Sequence, residues 1–145
     1  MDYIREAIEK LEEYDQLYTA VDNLREEIRA LNAETDMIKA QRISNEPKGV
    51  SSGEPDDRVC NNIAKKKELT QRLEITQRRI RQIESVFEKL DPEEKRLIEI
   101  LYVQGGKGCI ERACEAFYLE KTQIYKMRYR VTKKVAKLFL GIGIA

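Results

Sequence analysis

From Tyr14 onward, apolar side chains return at alternating spacings of three and four: Tyr14, Leu17, Val21, Leu24, Ile28, Leu31, Thr35 and Ile38. This is a coiled-coil seam with one polar position at Thr35, and it predicts one long helix over 2–43. Ahead of Tyr14 the register weakens, because Lys10 falls where an apolar residue is wanted while Ile8 and Leu11 sit beside it. A second seam, Leu69, Leu73, Thr76, Ile80, Ile83, Phe87 and Leu90, predicts a second helix over 58–89. Between the two, Ser44–Asp57 holds two prolines and two glycines and predicts a loop, 44–57.

A narrow seam cannot be covered by the helix that carries it, so the two helices are expected to pack on each other or on another chain. Charge favours mutual packing: residues 1–43 carry a net −5 and 58–89 a net +5. Exposed ion pairs contribute only about 0.2–1 kcal/mol each, so they guide an antiparallel pairing more than they stabilise it. Val21, Leu24, Ile28 and Leu31 are expected to lie against Leu69, Leu73, Ile80 and Ile83. Ile8, Leu11, Ile75 and Val86 remain as an apolar flank on which a second hairpin docks to make a four-helix homodimer. The runs Lys65-Lys66-Lys67 and Arg78-Arg79-Arg81 read as a solvated flank facing the acidic helix rather than a nucleic-acid surface.

A new unit begins at Leu90-Asp91-Pro92-Glu93-Glu94. Asp91 suits the cap, Pro92 the first helical position and Glu94 the capping-box spacing. Leu97, Ile98, Leu101 and Tyr102 then recur at helical spacing until Gly105-Gly106-Lys107-Gly108 ends the run. These glycines do not make a phosphate loop. The GxxxxGK[ST] spacing is missing, Cys109 follows where a hydroxyl is needed, and no strand precedes them.

Residues 110–129 have the pattern of two crossing helices. Ala113 and Cys114 are small where the helices would cross, and Phe117, Leu119, Ile124 and Met127 fall at the apolar offsets. A turn of three or four residues should follow Leu119, and the inward face of the next helix continues through Val131, Val135 and Leu138. Rotation at about 100° per residue then turns Thr122, Lys126, Tyr129, Lys133 and Lys137 outward, flanked by Lys121, Gln123, Tyr125 and Arg130, with Arg128 nearer the buried side. From Lys121 to the C-terminus there are seven basic residues and no acidic one. Such a face suits a polyanion, and Thr122, Gln123 and Tyr125 lie near the helix start, where side chains reach base edges. The expected DNA-binding residues are therefore Lys121, Thr122, Gln123, Tyr125, Lys126, Tyr129, Arg130, Lys133 and Lys137.

Residues 90–140, from Leu90-Asp91-Pro92-Glu93-Glu94 through Ile110-Glu111-Arg112-Ala113-Cys114 to Leu119-Glu120-Lys121-Thr122-Gln123-Ile124-Tyr125, resemble the C-terminal DNA-binding region of bacterial sigma factors, which reads promoter −35 elements. The whole plan, including Val50-Ser51-Ser52-Gly53, resembles a family of proteins from phages and prophages of Gram-positive bacteria, and the ArpU and RinA late-gene regulators. Two departures stand out: Tyr118 sits at the turn where glycine is frequent in the family, implying a wider turn, and Glu120 replaces the usual Ser/Thr cap. The expected fold is all-α: a long antiparallel helical hairpin, a coiled coil over 1–89, followed by a small sigma-like helix-turn-helix domain over 90–145.

Composition removes most alternatives. There is no His, which excludes Ser-His-Asp and Cys-His dyads, HExxH sites and Cys2His2 fingers. Cys60, Cys109 and Cys114 lack zinc-ligand spacing and read as reduced thiols of a cytoplasmic protein. No apolar run is long enough to span a bilayer. No cofactor, metal or enzymatic activity is expected. The expected function is sequence-specific binding of double-stranded DNA as a transcriptional regulator, with RNA polymerase as a candidate partner. The alternatives are a DNA-packaging recognition subunit like a small terminase, or a protein–protein adaptor.

Overall fold

The computed structural model describes residues 2–45 and 57–141, and side chains only to Ile43 in the first stretch. Most of the expected 44–57 loop and the tail beyond Gly141 lie outside the described residues. Those described are almost entirely helical, with no strand among them. The helices are α1 (Tyr3–Glu12), α2 (Tyr14–Asn45), α3 (Asp57–Glu88), α4 (Pro92–Ile98), α5 (Cys109–Phe117) and α6 (Lys121–Leu140), and α4 runs on as a π-helical turn over Glu99–Gln104.

The single helix expected over 2–43 is thus two, interrupted at Glu13. The cause is a change of register. Ile4, Ala7 and Leu11 form one apolar face, whereas the seam that begins at Tyr14 projects back onto Lys10. The two patterns are one residue out of phase, and the interruption at Glu13 absorbs the shift. Asp2 starts α1 by accepting the Arg5 N–H at 3.1 Å.

The chain forms two compact units, Met1–Tyr18 with Arg78–Ala145, and Thr19–Gln77. This grouping does not follow the expected 89/90 boundary, because α1 packs chiefly on α6. In the second unit Val21, Leu31, Ile38, Val59 and Leu69 are buried, while Leu24, Ile28 and Leu73 are half-buried. Asn62 Nδ2 donates to Thr35 Oγ1 at 3.3 Å, so the polar position of the first seam has a polar partner on α3.

The core of the first unit gathers Ala7 and Leu11 from α1, Ile83, Val86 and Phe87 from α3, Leu97 and Ile98 from α4, Ala113 from α5, and Ile124, Val131, Val135, Ala136 and Phe139 from α6. Leu11 and Val86 were expected on an exposed flank and are instead buried here, so two of the four residues proposed for docking a second hairpin are already covered. Of the others, Ile75 is exposed and Ile8 half-buried.

The start of α4 has the expected form. Pro92 occupies the first turn and Glu94 Oε1 accepts the Asp91 N–H at 3.0 Å. The same oxygen receives Lys134 Nζ at 2.7 Å, tying the start of α4 to α6. Burial pushes the Glu94 carboxyl up, but the hydrogen bonds from Lys134 and the Asp91 N–H outweigh it and hold its pKa below the ordinary value. A carboxyl depressed in the folded state adds stability that is present above its unfolded pKa and lost as pH falls through the folded value. Glu94→Gln keeps the acceptor for Asp91 and removes the charge. Chemical denaturation should therefore find it less stable than the parent at about pH 7, with the gap closing toward about pH 3. A gap that is constant across that range would refute the ion-pair contribution.

The glycine cluster is a turn between the π-helical segment and α5. Gly105, Gly106 and Gly108 all have positive φ, and the Arg112 guanidinium donates to the carbonyls of Gly105 and Lys107. The carbonyls are thereby committed to an internal cation.

Candidate nucleic-acid interface

Helices α5 and α6 are joined by only Tyr118, Leu119 and Glu120. Tyr118 itself takes the left-handed conformation, with φ 55° and ψ 41°. The Leu119 N–H reaches back to the Cys114 carbonyl at 3.2 Å. A wider turn was expected for want of glycine, and the turn is tight because tyrosine accepts the strained region. The Tyr118 side chain is 93% exposed, so it contributes almost no packing. Tyr118→Gly should stabilise the protein by about 0.5–1 kcal/mol, since a left-handed L-residue costs roughly 1–2 kcal/mol and the freedom of glycine in the unfolded chain returns part of that. Thermal unfolding checks it, and a destabilised variant would show that the conformation carries no strain.

Across this turn Ala113 and Ile124 are fully buried, and Cys114, Phe117, Leu119 and Met127 are half-buried against the same core. The residues expected at the crossing therefore belong to one core. Glu120 precedes α6 without a side-chain cap, as its replacement of Ser/Thr implied.

The inward face of α6 is Ile124, Val131, Val135, Ala136 and Phe139, with Thr132 buried among them and its hydroxyl bonded to the Arg128 carbonyl at 2.7 Å. Leu138, expected inward, is 39% exposed, and Phe139 takes its place. The reason is α1. By packing on α6 it draws the buried arc toward Thr132, Ala136 and Phe139, and Lys10 Nζ lies 5.3 Å from the Phe139 ring centre.

Opposite this stripe lie Thr122, Gln123, Lys126, Arg130, Lys133 and Lys137, with Tyr129 at the edge, whereas Lys121 and Tyr125 stand near the helix start on the angular side of Phe139 and Ala136. Lys121, Thr122, Gln123, Tyr125, Lys126, Tyr129, Arg130 and Lys137 are exposed and Lys133 is half-buried. Tyr129, Arg130, Lys133, Lys134 and Lys137 line one shallow depression. Two of the seven basic groups are committed elsewhere: Lys134 to Glu94, and Arg128, whose guanidinium lies 4.9 Å from the Tyr125 ring centre. Lys121 is within 3.5 Å of Glu111, an exposed pair between the start of α6 and α5. The special position of Lys134 could not be read from α6 alone, because its partner stands forty residues earlier.

The thiols of Cys109 and Cys114 are free and half-buried, that of Cys60 free and exposed. Among the described residues no group of three or more His, Cys, Asp or Glu side chains is placed to hold a metal ion. No described helix is long and apolar enough to cross a membrane. No protein-family model, curated protein or solved structure matches the chain.

Proposed function

We propose that this chain binds duplex DNA through α6, with α5, the three-residue turn and α6 acting as a helix-turn-helix, and that it is a phage or prophage transcriptional regulator of sigma-like type. The observation that carries the reading is one face of α6: Lys126, Arg130, Lys133 and Lys137 project from the side opposite its buried stripe, with no acidic residue between Lys121 and Leu140. Cationic side chains along one helix release counterions from DNA phosphates, and a helix is the element that fits the major groove. The regulatory part of the proposal rests on the resemblance of residues 90–140 to the sigma-factor region, and RNA polymerase in the bacterial cytoplasm is the second partner it names. A homodimer through α2 and α3 belongs to the same reading, supported by exposed Met37, Ile63 and Ile75.

The test is selection of bound duplexes from a random pool, followed by titration. The parent protein should enrich a defined sequence. Gln123→Ala should relax the preference by roughly 1–3 kcal/mol at one base pair while leaving affinity for random DNA nearly intact. Equal weakening on both kinds of DNA would mean that Gln123 does not read a base. Light scattering separates the uses: a monomer or dimer accords with regulation, and a large ring would favour a DNA-packaging recognition subunit.

A further inference from the structure

The exposed face of α6 is not uniformly cationic. Tyr125 is 45% and Tyr129 62% exposed, and they stand four residues apart, so their rings project from neighbouring turns of one side of the helix. At about 100° per residue, both tyrosines fall on one edge of the exposed face, Gln123, Arg130 and Lys137 on the other, and Thr122, Lys126 and Lys133 between them. The Arg128 guanidinium over the Tyr125 ring holds that ring by one face. Tyr129 has no comparable cover over most of its surface.

Large apolar rings left in water beside lysines are poorly placed for a purely phosphate-binding surface, where short polar or basic side chains serve as well. The apolar group that duplex DNA offers in its major groove is the C5-methyl of thymine. Four residues of α-helix advance about 6 Å, close to two base-pair steps of about 3.4 Å each. We infer that Tyr125 and Tyr129 read the methyl groups of two thymines lying within about two base-pair steps of each other, while the cationic edge holds the backbone. The inference rests on the proposed binding of duplex DNA through α6 and adds the base and the chemical group that the site selects. Holding one ring beforehand, as Arg128 does, lowers the ordering cost of the contact.

The experiment takes the duplex selected by the full-length protein and replaces each thymine in turn with deoxyuridine, which removes the methyl and leaves the hydrogen-bonding pattern unchanged. Two positions should each lose about fourfold in affinity, the fold-change that corresponds to burying one methyl group. Tyr125→Ala should abolish the penalty at one position and Tyr129→Ala at the other. Tyr125→Phe and Tyr129→Phe, which keep the rings, should retain it. Salt-sensitive binding with no deoxyuridine penalty at any position overturns the inference and leaves DNA binding standing. A penalty that persists in both alanine variants also overturns it, since something other than the rings then senses the methyl. Absence of binding to any duplex at low salt removes the DNA-binding reading itself, and the methyl readout with it.

Discussion

Raising salt from about 50 to about 200 mM is expected to weaken duplex binding several hundredfold. Five cations are available on α6: Lys126, Arg130, Lys133 and Lys137 on its outer side, and Lys121 at its start, whose pair with Glu111 is exposed and can give way to a phosphate. If each neutralises one phosphate, log K should fall against log[salt] with a slope of about −4.5, since each contact contributes about −0.9 on B-form DNA. Lys134 and Arg128 are left out of that number because one is held by Glu94 and the other lies over Tyr125. Lys126→Ala, Lys133→Ala and Lys137→Ala should each reduce the slope by roughly one contact, whereas Lys134→Ala should leave it unchanged. Fluorescence anisotropy titrations at four or five salt concentrations measure it. A slope near zero would defeat the proposed interface, and a Lys134 variant that lowers the slope would show that the Glu94 pair opens on binding.

Leu11→Ala should cost about 2–5 kcal/mol of stability, the range for deleting a fully buried leucine side chain. Leu11 has no exposed surface and packs in the cluster that contains Val135, Ala136 and Phe139. Leu138→Ala, on the same stretch of α6 but partly in water, should cost much less, within about 0.5–1 kcal/mol. Equilibrium denaturation of the two variants compares them directly. Equal costs, or a Leu11 variant as stable as the parent, would contradict the placement of α1 in the core. Because α1 packs on α6, the Leu11 variant is also expected to weaken DNA binding once a population of protein with a loosened α6 appears, and added DNA should recover part of its stability.

Much of the helical layout was legible in the chain. The two seams marked α2 and α3, Asp91-Pro92-Glu93-Glu94 marked the start of α4, and the spacing from Ala113 to Met127 anticipated which side chains of α5 and α6 belong to one core. The outward face of α6 followed from rotation alone, since an exposed position needs only the absence of a neighbour. The expected apolar flank was less legible: Leu11 and Val86 look uncovered in sequence because nothing local says what covers them.

What the sequence by itself determined is periodicity and punctuation: where a helix has an apolar stripe, where it begins, and where a run of cations without acids lies. Those properties are set by residues within one or two turns of each other. Tertiary structure alone decided the rest. It placed α1 on α6 and so buried Phe139 rather than Leu138. It committed Lys134 to Glu94 and fitted a tyrosine into the left-handed turn that glycine would occupy without strain. Each of these outcomes depends on which distant segment supplies the covering surface or the opposite charge. That choice follows from the summed burial over the whole core, to which no single helix holds more than its own face.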